Sequence, residues 1–279
     1  ERLNVWFVSK DEPATEEMHF YAGKFSVEPL TLSTSTEQVA LASANGLAMP
    51  ALNTLLPESF AVDHPAGEPV KVIATDNAEF WLQGSAIFPE QPKGFTQLQL
   101  NTSEQTKGPE AGVLSALWVD LYRQQQTTLL TEASIAGMNA SVSPSFGIQM
   151  TFSGFTDKQP ELIKRSLEAL RIEPSEEEFI QAVDRFTRGL ENSRFGFPVR
   201  QLFPAIRRLT QTGAFNQEDL LQAANAATLE ALSGHIEQQL STAYVRGYRF
   251  GNYSEEDVQS LADLIARVLP NRSGDTYTR

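Results

Sequence analysis

The sequence predicts an α+β fold: a mainly antiparallel sheet with helices packed on one face. Three observations predict it. Met138-Asn139-Ala140-Ser141-Val142 and Ile148-Gln149-Met150-Thr151-Phe152 alternate apolar and polar residues, the period of half-buried strands. The turn between them, Ser143 to Gly147, is long enough for an antiparallel hairpin and too short for a crossover. The period then changes to helical, with Leu162, Ile163, Leu167 and Leu170 following Gly154-Phe155-Thr156-Asp157-Lys158-Gln159-Pro160. Thr156 and Gln159 have the spacing of a capping box, and Pro160 suits a first turn because its missing amide hydrogen has no partner there.

From the N-terminus, Leu3-Asn4-Val5-Trp6-Phe7-Val8 reads as a buried strand. A strand with no turn before it leads us to expect a piece of a longer chain. Residues 11–62 read as irregular, with a strand at Phe20 to Val27 and a short Ala-rich helix near Glu37 to Ser43; Pro13, Pro29, Pro50 and Pro57 punctuate this arm. Strands follow at Val70 to Ala74, Phe80 to Ile87 and Phe95 to Leu100. A helix is predicted from Pro109 to Gln125, with Val113, Leu114, Leu117, Trp118 and Leu121 at helical spacing, and a shorter one from Thr128 ends at Gly137.

After the hairpin the chain is mostly helical. Leu162 to Leu170 is one helix. Ser175 and Glu178 form a capping box for another, with Phe179, Ile180, Val183, Phe186 and Leu190 on one face. Further helices are predicted at Val199 to Gln211, Gln217 to Ala223 and Thr228 to Leu240. Tyr244 to Phe250 alternates as a last strand, and Ser254 caps a final helix with Val258, Leu261, Leu264, Ile265 and Val268 inward. Residues 271–279 read as a polar tail.

Composition bounds the function. A chain of 279 residues can bury a full core, and 41% hydrophobic content is ordinary for a globular protein. The net charge of −13 argues against a nucleic-acid partner, since binding phosphates takes clustered Lys and Arg. No apolar run approaches the roughly 20 residues needed to span a bilayer, so no membrane insertion is expected. The absence of cysteine excludes disulfides, thiolate catalysis and Cys-type metal sites.

Four segments, in order, carry a family likeness. They are Asn53-Thr54-Leu55-Leu56-Pro57-Glu58-Ser59-Phe60, the aromatic strand Phe80-Trp81-Leu82, the run Gly154 to Pro160 before its helix, and the strand-to-helix step Gly251-Asn252-Tyr253-Ser254. Together they resemble the pitrilysin and insulin-degrading enzyme family of zinc metallopeptidases. Leu55 stands where that family has an aromatic residue, and Ser59 where it has an acid or amide. The resemblance implies four homologous units in two halves that close around a peptide, with zinc typically in the first unit only. It also implies that Pro109–Gln125 corresponds to the helix that, in an active unit, carries the inverted zinc motif H-x-x-E-H.

The candidate chemical groups of this chain are sparse. Its histidines, His19, His64 and His235, are far apart, and none begins that motif. The Pro109–Gln125 helix has no histidine, and its acids are Glu110 and Asp120. Asp120 reads as a solvated or capping carboxylate. Glu173 and Glu176 to Glu178 read as acids complementing a helix N-terminus. Arg200, Arg207 and Arg208, around Phe203-Pro204, read as the polar face of a helix. Tyr244 to Phe250 mixes aromatic and basic residues like a single-strand platform, but strict alternation in an acidic chain favours an ordinary strand. Pro144-Ser145-Phe146-Gly147 lacks the first glycine of a nucleophile elbow, and there is no Gly-Lys-Ser/Thr phosphate loop.

The expectation is therefore a non-catalytic segment with no catalytic or metal-binding residues of its own. Residues 1–10 would close a preceding domain, 11–62 would form a hinge arm, and 63–270 would be the third unit of a metallopeptidase whose zinc lies elsewhere in the parent chain. Its partners would be peptide substrates and the other domains of that chain, and the resemblance points to the periplasm. The alternative is a stand-alone binding or scaffold protein with the same fold.

Overall fold

A computed structural model of the chain describes residues 5–9, 11, 13–29, 51–62, 67–102, 107–270 and 272–274. It divides into two compact units, residues 1–52 and 53–279. The predicted helix near Glu37 to Ser43 and the residue His64 lie outside the described residues.

In the first unit, β1 (Glu16–Glu17) pairs antiparallel with β2 (Lys24–Phe25). The predicted strand from Phe20 to Val27 is thus only two residues long. Val5, Trp6, Phe7 and Val8 are exposed and belong to no strand, against the prediction of a buried one. An alternating or apolar run forms a strand only when a sheet edge pairs with it, and sequence does not contain that edge.

The second unit is built on β3 (Val70–Ala74), β4 (Ala78–Gln83), β5 (Lys93–Asn101), the hairpin β6 (Met138–Pro144) and β7 (Gly147–Phe155), and β8 (Tyr244–Gly251). Their order across the sheet is β3-β4-β8-β5-β7-β6, antiparallel throughout except for the β4–β8 pair. Alternation sets the faces. Phe80, Leu98, Leu100, Ile148, Met150, Phe152 and Val245 are buried on one side, while Trp81, Gln97, Gln99, Thr151 and Tyr248 stay half-exposed on the other. Phe80 pairs with Gly247, and a Cβ on that glycine would stand 2.1 Å from the Phe80 ring; the close approach of ring and backbone requires glycine.

Helix α1 (Pro109–Gln125) is followed by α2 (Thr127–Ile135), α3 (Gln159–Glu168), α4 (Glu176–Ser193), α5 (Pro198–Thr210), α6 (Gln217–Ala226), α7 (Leu229–Thr242) and α8 (Glu255–Val268). α1 packs on β6, α3 on β7, and α8 on β3 and β4; α4, α6 and α7 pack in turn against α1. Lying between sheet and helices, α1 buries Val113, Leu117, Trp118, Val119, Leu121 and Tyr122. Trp118 Nε1 donates to Leu170 O at 2.8 Å and Tyr122 donates to Ser166 O at 3.0 Å, so the polar tips of both rings are satisfied within the core.

Several predicted details change. Thr156 and Gln159 make no capping box: α3 starts at Gln159 after Lys158 without a side-chain cap. Gln159 is instead fully buried and bonded elsewhere. On α4, Phe179 and Ala182 are buried but Ile180 is 59% exposed, because the face that meets α1 is narrower than the apolar stripe. Within the stretch read as a polar tail, one charged residue is tied to the domain. Arg272 is buried and donates to Leu269 O at 2.6 Å, where it satisfies carbonyls at the end of α8.

Candidate functional site

His19 lies in the first unit, its ring edge-on to Phe20 at 4.6 Å. His235, on α7, faces α1: its Nε2 lies 2.8 Å from Ser115 Oγ and 2.7 Å from Gln239 Nε2, and Gln239 Nε2 also donates to Ser115 Oγ at 2.8 Å. Ser115 is fully buried in this trio, which ties α7 to α1. It offers one imidazole, a hydroxyl and an amide, with neither the second imidazole nor the carboxylate of a peptidase zinc set. Among the described residues there is no group of three or more His, Asp or Glu placed to hold a metal ion.

The candidate acids have structural partners. Asp120 accepts from Arg185 at 2.8 Å and from Gln124 at 2.8 Å, bridging α1 to α4. The Ser175–Glu178 capping box forms as predicted, and hydrogen bonds from Ser175 hold the Glu178 carboxyl below its ordinary pKa. Arg194 and Arg208 line an open hollow of about 280 Å³ with Asn216, Gln217 and Glu218. Tyr244–Gly251 is a central sheet strand with partners on both sides. Ser145 and Phe146 simply turn the β6–β7 hairpin, Phe146 at φ 46.

The structure brings together three of the four segments that carry the family likeness, those at Asn53–Phe60, Gly154–Pro160 and Gly251–Ser254. At the centre is Gln159. Its amide nitrogen donates to Gly94 O at 3.1 Å, and its carbonyl accepts from Tyr253 at 2.5 Å and from Thr96 at 3.3 Å. Arg249, only 2% exposed, donates to Thr96 Oγ1 at 3.3 Å and to Asp257 O at 2.9 Å, and its guanidinium lies 4.1 Å from the Tyr253 ring centre. Burial pushes the Arg249 pKa down and the Tyr253 pKa up. Each polar group is desolvated, and each has partners that make the burial tolerable.

Around this network, the segment from Asn53 is strapped to the domain. Asn53 donates to Glu132 O at 2.8 Å and accepts from Leu55 N at 2.9 Å, a local turn that seats the fully buried Leu55. Asp157 Oδ2 accepts from the amides of Glu58 and Ser59 at 2.8 and 3.2 Å. Lys158 meets Glu58 at 2.7 Å, a bond that raises the Lys158 pKa. Arg165 reaches Thr54 at 2.7 Å, Asn252 reaches Ala61 O at 3.0 Å, and Phe60 packs edge-on to Phe155 at 5.2 Å.

Sequence reading found these segments by likeness and missed what they do. Arg249 did carry a signal: it occupies an inward position of the β8 alternation. Gln159 carried none, because a glutamine before proline at a helix start fits a cap as well as a buried anchor.

Fold and clasp define a helix-backed sheet domain whose polar centre holds segments together. A family model described as the middle or third domain of peptidase M16 matches residues 1–223, and the chain belongs to that family. It is 21% identical over 273 residues to Protease 3 of Salmonella typhimurium, covering 96% of this chain and 28% of that protein. It is 23% identical over 270 residues to Insulin-degrading enzyme-like 2 of Arabidopsis thaliana, covering 95% of this chain and 28% of the relative. The chain thus spans just over a quarter of the length of these relatives. Its fold is that of the pitrilysin crystal structure, with a TM-score of 0.82 and 21% identity over 98% of this chain and 30% of that one. A peptidase M16 inactive domain from Pseudomonas fluorescens is more distant, at TM-score 0.54 and 13% identity over 76% of this chain and 53% of the other.

Proposed function

We propose that this chain is the non-catalytic third unit, with its preceding arm, of a zinc-dependent endopeptidase, and that it walls the chamber in which another unit cleaves peptides. One observation carries the reading: α1, the counterpart of the zinc-bearing helix of an active unit, has no histidine and turns Val113, Leu117, Trp118 and Leu121 into the core. The groups around it do not fit zinc, since among the described residues the one imidazole that reaches this helix is His235 of α7, which is bonded to Ser115 and Gln239. What this unit's residues contribute is position. Asp157, Lys158, Arg165 and Asn252 fix the end of the arm beside the Gln159–Tyr253–Arg249 network, and a rigid wall that excludes water and oversized substrates needs fixed attachments.

In this reading residues 1–10 close the preceding unit, 11–62 are the hinge arm and 63–270 the third unit, with residues 271–279 as a tail. Residues 53–62 of that arm are anchored on the domain. Peptides and the other units of the polypeptide are its partners, and the periplasm its compartment. No helix among the described residues is long and apolar enough to cross a membrane. A stand-alone scaffold has less support, because the relatives matched along almost this whole chain bear the names of a protease and of insulin-degrading enzymes.

The test compares the full encoded polypeptide with the 279-residue chain. The polypeptide should bind zinc and cleave peptides in a chelator-sensitive manner, and the 279 residues alone should do neither. Stoichiometric zinc with chelator-sensitive cleavage by the 279 residues would overturn the proposal.

A further inference from the structure

Among the described residues of the second unit, the densest run of uncovered apolar side chains lies at α5 and the loop before it. Val199, Leu202, Phe203 and Ile206 recur at the spacing of one helical face, yet they are between 44% and 61% exposed. Phe195 and Phe197 beside them are 88% and 75% exposed, and no residue of α5 whose burial is described is buried. A helix of 13 residues is marginal in water by itself, and a sequence that keeps such a stripe on it implies a cover.

The same stretch is electrostatically distinct. Between Glu191 and Glu218 there is no acid, but there are four arginines, Arg194, Arg200, Arg207 and Arg208, in a chain of net charge −13. We infer that the α5 stripe is the surface on which this unit docks another part of the same polypeptide, an apolar patch with an acidic rim supplied by the chain outside these 279 residues. This inference rests on the multi-unit reading above. Because the match covers 28% of the relatives' length, most of such a polypeptide lies outside this chain. A second copy fits less well, since a two-fold contact through this face would set its arginines against themselves. An anionic membrane fits less well too, because a chain of net charge −13 is repelled from it.

The absence of cysteine from these residues provides the test. In the full polypeptide, Phe203→Cys and Val199→Cys are compared with Glu191→Cys, an exposed control, by maleimide labelling read by mass spectrometry of the modified peptide. The thiols at 203 and 199 should react at least about tenfold more slowly than the control, at rates independent of dilution and of added anionic vesicles. Equal rates would overturn the inference. So would slowing that disappears on dilution, which assigns the face to a second copy, or slowing seen only with vesicles, which assigns it to a membrane. Peptide cleavage is assayed on the same preparations. Chelator-sensitive cleavage with freely reacting thiols overturns the docking surface alone; protected thiols without any such cleavage uphold docking and count against the peptidase reading.

Discussion

Helices α3 and α5 follow the same sequence rules and meet opposite fates. Both have proline in the first turn, neither has a side-chain cap, and each carries an apolar stripe at helical spacing. In α3, Leu162, Ile163 and Leu167 are at most 1% exposed, whereas in α5 the four stripe residues all remain in the open. The difference lies in the partners. α3 lies on β7 and α8, its first residue is bolted to the sheet through Gln159, and its Ser166 carbonyl accepts from Tyr122. α5 has no comparable packing partner among the described residues. An amphipathic stripe announces that a helix needs a cover, and the topology decides whether the same chain provides one.

The largest effect that would sharpen this contrast comes from removing the stripes. In the 279-residue chain, Leu162→Ala should lower unfolding stability by about 2–5 kcal/mol, the cost of a core cavity. Phe203→Ala should change it by no more than about 0.5 kcal/mol, as at other exposed sites. Denaturant titration followed by circular dichroism reads both. A loss of similar size at Phe203 would break the comparison, by placing that ring in a packed environment within this chain.

A smaller effect isolates the anchor of α3. Gln159→Leu removes the hydrogen bonds that Gln159 makes with the Gly94 carbonyl and the Tyr253 hydroxyl and should cost about 1–3 kcal/mol. Tyr253→Phe removes one of the same bonds, so the double variant should lose less than the sum of the two single losses, with a coupling of about 1 kcal/mol. Strict additivity would mean that Gln159 and Tyr253 act independently, against the geometry of the network.

The smallest effect is a pH dependence in the tie between α1 and α3. Burial pushes the Tyr122 pKa from 10.0 up to about 12. The folded state therefore holds this proton more tightly than the unfolded one. Its contribution is complete below pH 10.0, diminishes above it as the unfolded phenol ionises, and is lost as pH rises through about 12. Denaturation midpoints measured between those pH values should fall, and Tyr122→Phe should flatten part of that fall. An unchanged slope in the variant would show that the Tyr122 phenol is not the group responsible.

Much of the fold was legible in the sequence because its signals are local. The hairpin, the Pro109 helix, the Ser175 capping box and the Ser254 step into the last helix depend on residues within a few positions of one another. The clasp was only half legible. Its segments were visible as a family likeness, but a Thr156–Gln159 capping box and a buried Gln159 anchor share one sequence pattern. Choosing between them requires the positions of Gly94 and Tyr253, which are 65 and 94 residues away. The buried strand predicted at the N-terminus failed for a related reason: its apolar side chains were read correctly, but no strand among the described residues pairs with them.

Composition and order alone determined the class of fold, the lack of cysteine chemistry and the absence of a histidine pair on the long helix, since each depends only on which residues are present and how they are spaced. Tertiary structure alone decided that Arg249 and Gln159 lie inside, that the segment from Asn53 is strapped down, and that one of two similar amphipathic helices is left without a cover. Those outcomes follow from desolvation and packing between segments far apart in the chain, and local periodicity records the need for a partner without recording who meets it.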